Sequence, residues 1–287
     1  MVTKFPSQLE PWSHLPAKIV LVTGASSGLG LEFCLDLAAA GCLVVAAARR
    51  TDRLKSLCDQ INKMDGQVGG GVADGGSHRA KAVALDITAD GPTIEAAVDK
   101  AWSAFGHVDV LINNAGVRGQ VKPSLEISEE EYNNAVKTNL IGSWLVSKYV
   151  GARLRSTGRG GSIINISSAS GVGRAEPVGG IAYTSSKAGL NYMTKVMALE
   201  LGAYNIRVNV IGPGVFKSEI TEALFGKQGF KNAVKKLVPL RAVGTTNPAL
   251  TSLLRYLIHD SSAFVTGNIF VLDSGVTLPG IPIYSSL

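Results

Sequence analysis

Several things are scarce in this chain of 287 residues, and each scarcity excludes something. No apolar run approaches the ~20 residues needed to cross a bilayer, so we expect no membrane partner. The opening stretch MVTKFPSQLEPWSHLPAK carries Pro6, Pro11 and Pro16 but no apolar h-region, so residues 1–17 read as an extended arm and not a secretory signal. Cysteine is rare: Cys34, Cys42 and Cys58 are odd in number and form no CxxC pattern, which fits buried thiols in a reducing compartment. His14, His78, His107 and His259 are scattered without ligand spacing, so no metal is expected. The net charge of +6 comes from Lys and Arg spread without a stripe or aromatic interleaving, which argues against a nucleic-acid partner. An anionic cofactor accounts for part of that bias.

What is present is alternation. Short, near-continuous β-branched runs at 19–23, 43–48, 82–86, 108–113, 162–167, 206–211 and 268–273 read as strands covered on both faces. Between them, helical periodicity spans about 28–40, 51–64, 92–105, 128–153 and 181–203, with a less regular stretch over 217–260. This pattern predicts an α/β, doubly wound Rossmann fold over residues 18–287. Its parallel sheet would have seven strands in the order 3-2-1-4-5-6-7, with helices on both faces. The glycine-rich segment 66–78 reads as an inserted mobile loop.

The first strand runs into Thr23-Gly24-Ala25-Ser26-Ser27-Gly28-Leu29-Gly30, which opens a helix. Glycines at a strand-to-helix turn let the backbone approach a pyrophosphate, and the helix N-terminal amides point at its charge. At the end of the second strand, Ala48 stands near the position where an NAD site places an acid. Arg49 and Arg50 follow and would hold a 2′-phosphate, with Ser26 as hydroxyl partner. We therefore expect NADP(H), with Arg49 ahead of Arg50 as the contact. Tyr183 and Lys187 are four residues apart and share one face of a helix. A nearby ammonium favours a phenolate, so this pair suits proton transfer.

In this order and spacing, the glycine turn, Asn113-Asn114-Ala115-Gly116, Asn139, the serines after the fifth strand and Tyr183-x-x-x-Lys187 resemble the classical short-chain dehydrogenase/reductase family from about Lys18 to Thr277. The resemblance implies reversible reduction of a ketone to a secondary alcohol. Tyr183 would be the proton donor, and Lys187 would also bind the nicotinamide ribose. Asn139 would hold a water that links Lys187 to solvent. Ser168 would grip the substrate oxygen, with Ser170 the competing alignment and Ser167 a satisfied hydroxyl. On the cofactor side it implies Asp86 and Ile87 at the adenine, and Asn114, Ala115 and Gly116 beside the adenosine ribose. Pro213, Gly214, Val215 and Ser218 would lie at the carboxamide.

Residues 216–240 read as a substrate lid. Their apolar side chains suggest a small apolar or specialised-metabolite carbonyl substrate, and their lysines suggest a 3-oxoacyl thioester as the alternative. Some segments are similar to plant 3-oxoacyl-(acyl-carrier-protein) reductase-like members. A non-catalytic cofactor-binding protein is the remaining alternative. The resemblance further implies a homotetramer (or homodimer). A cytoplasmic address is expected, with the terminal Ser285-Ser286-Leu287 offering a peroxisomal one.

Overall fold

The computed structural model describes residues 10–64, 78–173, 178–216, 225–226 and 228–278. Strands β1 (Ile19–Thr23), β2 (Leu43–Ala48), β3 (Ala80–Ala84), β4 (Val110–Asn113), β5 (Gly161–Ile166), β6 (Ile206–Pro213) and β7 (Ile269–Leu272) form one parallel sheet in the order 3-2-1-4-5-6-7. Helices α1 (Gly28–Ala39), α2 (Thr51–Lys63), α3 (Gly91–Ala104), α4 (Glu129–Val136), α5 (Ser143–Thr157), α6 (Ile181–Leu201), α7 (Gln228–Leu237) and α8 (Thr251–Ile258) complete the regular elements used below.

The strands explain why the sequence shows continuous apolar runs. Val20 and Val22 of β1 pack on one side with Phe33 and Leu37 of α1 and Leu254 of α8. Ile19 and Leu21 point to the other side, among Val98 of α3, Val150 of α5 and Met197 of α6. A strand with both faces covered has no reason to alternate apolar with polar.

Three local expectations shift. The third strand starts two residues early because the Asn62 side chain pairs with the Ala80 backbone, accepting from its amide at 2.9 Å and donating to its carbonyl at 3.3 Å. It ends before Asp86, whose carboxylate turns to Thr88 instead. The expected helix over 128–153 is α4 and α5 joined by a π-helical turn, Lys137–Gly142. That widened turn buries Asn139 completely. Residues 10–17, expected as part of an extended arm, instead hold a short 3-10 helix at Pro11–Ser13. Leu15 there is buried, and Trp12 packs edge-on against Tyr256 at 5.1 Å between ring centres.

The rest of the arm, most of the 66–78 loop, Ser218 with much of the expected lid, and the terminal Ser285-Ser286-Leu287 lie outside the described residues.

Candidate active site

Two turns meet at the C-terminal ends of β1 and β4. The chain leaves β1 through Gly24 at φ +67°, where a Cβ would stand 2.7 Å from Ala115 Cα. A Cβ on Gly30 would come 2.5 Å from the Gly24 carbonyl oxygen. The close approach is held by hydrogen bonds. Thr23 Oγ1 accepts from the amides of Asn114 and Ala115 at 3.0 and 3.1 Å, and Asn114 Nδ2 donates to the Thr23 carbonyl at 3.0 Å. Asn114 and Ala115 thus brace the glycine turn. Asn113 points into the core, where its amide donates to Ser147 Oγ and Asn165 Oδ1.

The turn suits an anion. Asp90 and Ser128 cap α3 and α4 with their side chains, but Ser27 at the start of α1 makes no such bond, and the first turn of α1 holds no acid. Its leading amides have no side-chain cap, and a pyrophosphate is a group that complements them.

Arg50, the residue before α2, reaches back to this turn. It donates from Nε to Ser26 Oγ at 3.1 Å and from Nη2 to Ser27 Oγ at 2.6 Å. The arginine that meets Ser26 is therefore Arg50 and not Arg49, because the chain has already begun to turn into α2. Arg49 lies toward Asp86, where its charge acts with Lys137. Burial alone would raise the Asp86 carboxyl. The Thr88 amide and hydroxyl, at 2.9 and 2.7 Å, and the two cations outweigh burial and hold it below the usual carboxylate range. Ala48 is buried, and Ile87 is buried against Gly142. At the end of β6, a Cβ on Gly214 would meet Asp273 at 2.7 Å, so the Pro213-Gly214-Val215 turn is pressed onto the chain after β7.

The side chains expected to carry the chemistry converge beyond β4 and β5. Lys187 is 4% exposed and donates from Nζ to the Ile166 carbonyl at 2.8 Å. Burial lowers its ammonium to about 8. Tyr183 lies one turn earlier on α6, and the Lys187 Nζ is 5.9 Å from its ring centre. The Ser168 hydroxyl is the side-chain neighbour whose hydrogen bonding acts on the Tyr183 phenol. Ser170 is not the partner; its amide donates to Ser168 Oγ at 3.1 Å and so orients that hydroxyl. Ser167 donates to the Lys187 carbonyl, a satisfied hydroxyl as expected.

Burial raises the Tyr183 phenol above its ordinary value, while the Ser168 hydrogen bond and the charge of Arg118 pull it down. Against expectation, Lys187 is not among the groups that lower the phenol: burial brings its ammonium to about 8, so it is neutral before a raised phenol titrates. Sequence reading missed Arg118. Its only signal was its place two residues after Gly116.

Asn139 ties this group together. Its Oδ1 accepts from the Val117 amide at 2.8 Å; its Nδ2 donates to the Val117 carbonyl and to Ser186 Oγ, both at 2.9 Å. Ser186 in turn donates to the Tyr183 carbonyl. Gly116 closes the set: a Cβ there would lie 3.0 Å from Asn139 Oδ1 and 3.5 Å from Lys187 Nζ.

Burial pushes Cys42 and Cys58 up to about 12 and 11, and Cys34 upward as well. Among the described residues, no cluster of His, Cys, Asp or Glu can hold a metal, and no helix is long and apolar enough to cross a membrane.

This arrangement has counterparts. The short chain dehydrogenase family model matches residues 18–229. The 3-oxoacyl-[acyl-carrier-protein] reductase of Thermotoga maritima is 32% identical over 265 residues, covering 92% of this chain and 100% of that one. A gluconate 5-dehydrogenase from Burkholderia cenocepacia, in complex with NADP and tartrate, superposes with a TM-score of 0.83. It is 25% identical, with 93% of this chain and 98% of that one covered. A 7 alpha-hydroxysteroid dehydrogenase in complex with NADH and 7-oxo glycochenodeoxycholic acid gives 0.81 at 27% identity, over 92% and 95%. Nicotinamide dinucleotides are the cofactors of this group. The fold, the two braced turns and these matches agree: the chain belongs to the short chain dehydrogenase family, an oxidoreductase acting on CH–OH and C=O groups.

Proposed function

We propose that the protein is an NADPH-dependent reductase that converts a ketone to a secondary alcohol, reversibly, with Ser168, Tyr183 and Lys187 as its catalytic residues. The observation that carries this reading is the convergence of Tyr183 with the buried Lys187, 5.9 Å from its ring centre, and with the Ser168 hydroxyl that acts on its phenol, beside a glycine turn that leaves its helix amides uncapped.

The cofactor would be held by the α1 amides after Gly24, by Ser26, Ser27, Leu29 and Gly30 of the turn, and by Asp86 and Ile87 at the adenine end. Asn114, Ala115 and Gly116 would border its ribose, and Lys187 with the Pro213–Val215 turn and Ser218 its nicotinamide half. When bound, it supplies the hydride. The preference for NADPH rests on the absence of an acid at Ala48 and on Arg50, fixed by two serine hydroxyls beside the turn. A guanidinium held in this way matches a 2′-phosphate.

The chain's own residues handle the oxygen and the proton. Ser168 Oγ donates a hydrogen bond to the substrate oxygen and holds it against Tyr183. A phenol raised by burial holds its proton at neutral pH, which is the form that the acid of the reduction requires. As Tyr183 gives up its proton, the charges of Arg118 and Lys187 offset the phenolate. Asn139 acts as a positioning residue, since both ends of its amide are engaged by protein.

The substrate side rests on less. Lys235 and Lys236 of α7 are exposed, and we read them as the solvated face of that helix and the substrate as a small carbonyl compound ahead of a carrier-bound thioester. Exposed Trp144, Tyr192, Val196 and Leu199 on α5 and α6 support assembly into a homodimer or homotetramer. We place the protein in the cytosol, as one domain with its lid and tail.

The test is NADPH and NADH oxidation, side by side, over ketones, diketones, quinones and a 3-oxoacyl-CoA. We expect NADPH to be preferred and Tyr183→Phe to lower turnover by about 10²–10⁴-fold without weakening NADPH binding. Equal use of NADH would overturn the 2′-phosphate assignment, and undiminished turnover in the variant would overturn the role of Tyr183.

A further inference from the structure

The loop that leaves β4 is pinned at two points beside the reacting hydroxyls. At Val117, both backbone groups are held by the buried Asn139. At Lys122, the amide donates to the Gly179 carbonyl at 3.0 Å, which fastens the loop to the segment entering α6. Gly179, at φ +81°, lets Val121 and Lys122 come this close; a Cβ there would meet Val121 Cγ1 at 2.9 Å. The loop thus runs beside the group that Asn139 ties, through Ser186, to the Tyr183 backbone.

Arg118 sits between the two pins, half-buried, just before Gly119 at φ +70°. It is near enough to Tyr183 for its charge to act on the phenol. The other cation of this loop is already neutralised: Lys122 Nζ lies 3.1 Å from Glu131 Oε2. Arg118 is different. Among the described residues no carboxylate pairs with it.

A half-buried guanidinium beside the site, without a carboxylate partner among the described residues, is matched by a planar anion that meets its fork with two oxygens. A carboxylate has that geometry. We propose that Arg118 recognises a carboxylate on the substrate, and that the substrate class is oxo acids, with the acid group a few bonds from the reacting carbonyl. This rests on Tyr183 being the proton donor of the site. Position follows from the loop: a substrate whose carbonyl oxygen lies between Ser168 and Tyr183 has its near neighbours facing residues 117–122.

The experiment compares matched probes: 2-oxohexanoate, 4-oxopentanoate and 5-oxohexanoate, each beside its methyl ester, with wild type, Arg118→Met and Arg118→Lys. Turnover with NADPH is read as the ratio of kcat/KM for acid over ester. Binding to the protein–NADPH complex of Tyr183→Phe is measured in parallel by calorimetry, so that affinity is read without reaction. For at least one chain length the wild-type ratio should be about tenfold to a hundredfold, as for a hydrogen bond to a charged group. Arg118→Met, also tested for binding in the Tyr183→Phe background, should bring both the ratio and the binding preference toward one, and Arg118→Lys should retain part of each.

A wild-type ratio near one at every chain length, or a preference that survives Arg118→Met, would overturn the assignment, as would failure of every acid both to react and to bind. The reading of Tyr183 fails separately. If Tyr183→Phe still turns over the acids while Arg118→Met does not, carboxylate recognition stands and the proton donor is another group.

Discussion

Lys187 carries the sharpest stability prediction, because its role in the site and its cost to the fold point in opposite directions. The ammonium is 4% exposed and, among the described residues, makes one hydrogen bond, to the Ile166 carbonyl at 2.8 Å. Burial brings it from 10.5 to about 8. A folded value below the unfolded one means that the unfolded chain holds the proton more tightly between the two. Stability therefore rises with pH across that window and is lost as pH falls through 8. At pH 7 the charged lysine costs the fold about 3 kcal/mol relative to a group with no shift. At pH 9.5 about 1 kcal/mol of that cost remains, so about 2 kcal/mol is recovered on the way.

The perturbation is Lys187→Met, which keeps the length of the chain and removes the titration. It also leaves the Ile166 carbonyl without its donor, at a cost of about 1–3 kcal/mol that does not depend on pH. The pH-dependent difference between the two proteins isolates the lysine. The assay is urea unfolding of the cofactor-free protein at pH 7 and 9.5, wild type against variant. Wild type should gain about 2 kcal/mol on Lys187→Met between the two pH values. A difference in stability that is the same at both would show that Lys187 titrates as an ordinary lysine, and would refute the reasoning. In enzyme assays the same variant should be inactive, so a charge that weakens the resting fold is retained for the reaction.

Two further outcomes follow from the cofactor turn. Arg50→Ala removes the guanidinium held by Ser26 and Ser27, and should raise the KM for NADPH by about ten- to a hundredfold while leaving that for NADH little changed; steady-state titration of both cofactors checks this. Gly30→Ala places a methyl group 2.5 Å from the Gly24 carbonyl, a backbone atom that cannot step aside, and should cost about 1–3 kcal/mol in urea unfolding and weaken NADPH binding measured by fluorescence titration.

The sequence by itself determined the sheet. Seven β-branched runs separated by helical periods allow few packings, and a strand covered on both faces announces itself by its unbroken apolar content. It also pointed to Gly24, Gly28 and Gly30, since a turn at the end of a strand selects residues without side chains, and to the Tyr183–Lys187 spacing, since one helical turn is a local fact. What it could not determine were contacts between segments distant along the chain. Ser168 and Ser170 are two residues apart, and only the packing of β5 against α6 decides which one meets Tyr183. Arg49 and Arg50 are adjacent, and the start of α2 turns the second toward Ser26, 24 positions away. The direction of the Lys187 ammonium depends on the Ile166 carbonyl, 21 positions upstream. Arg118 lacked any motif of its own; its meaning arises where a loop pinned by Asn139 and Gly179 brings its charge to bear on the tyrosine of another element. Periodicity and spacing record what a residue does within its own helix, strand or turn. Charge and hydrogen bonding act through space, and only the folded chain fixes those distances.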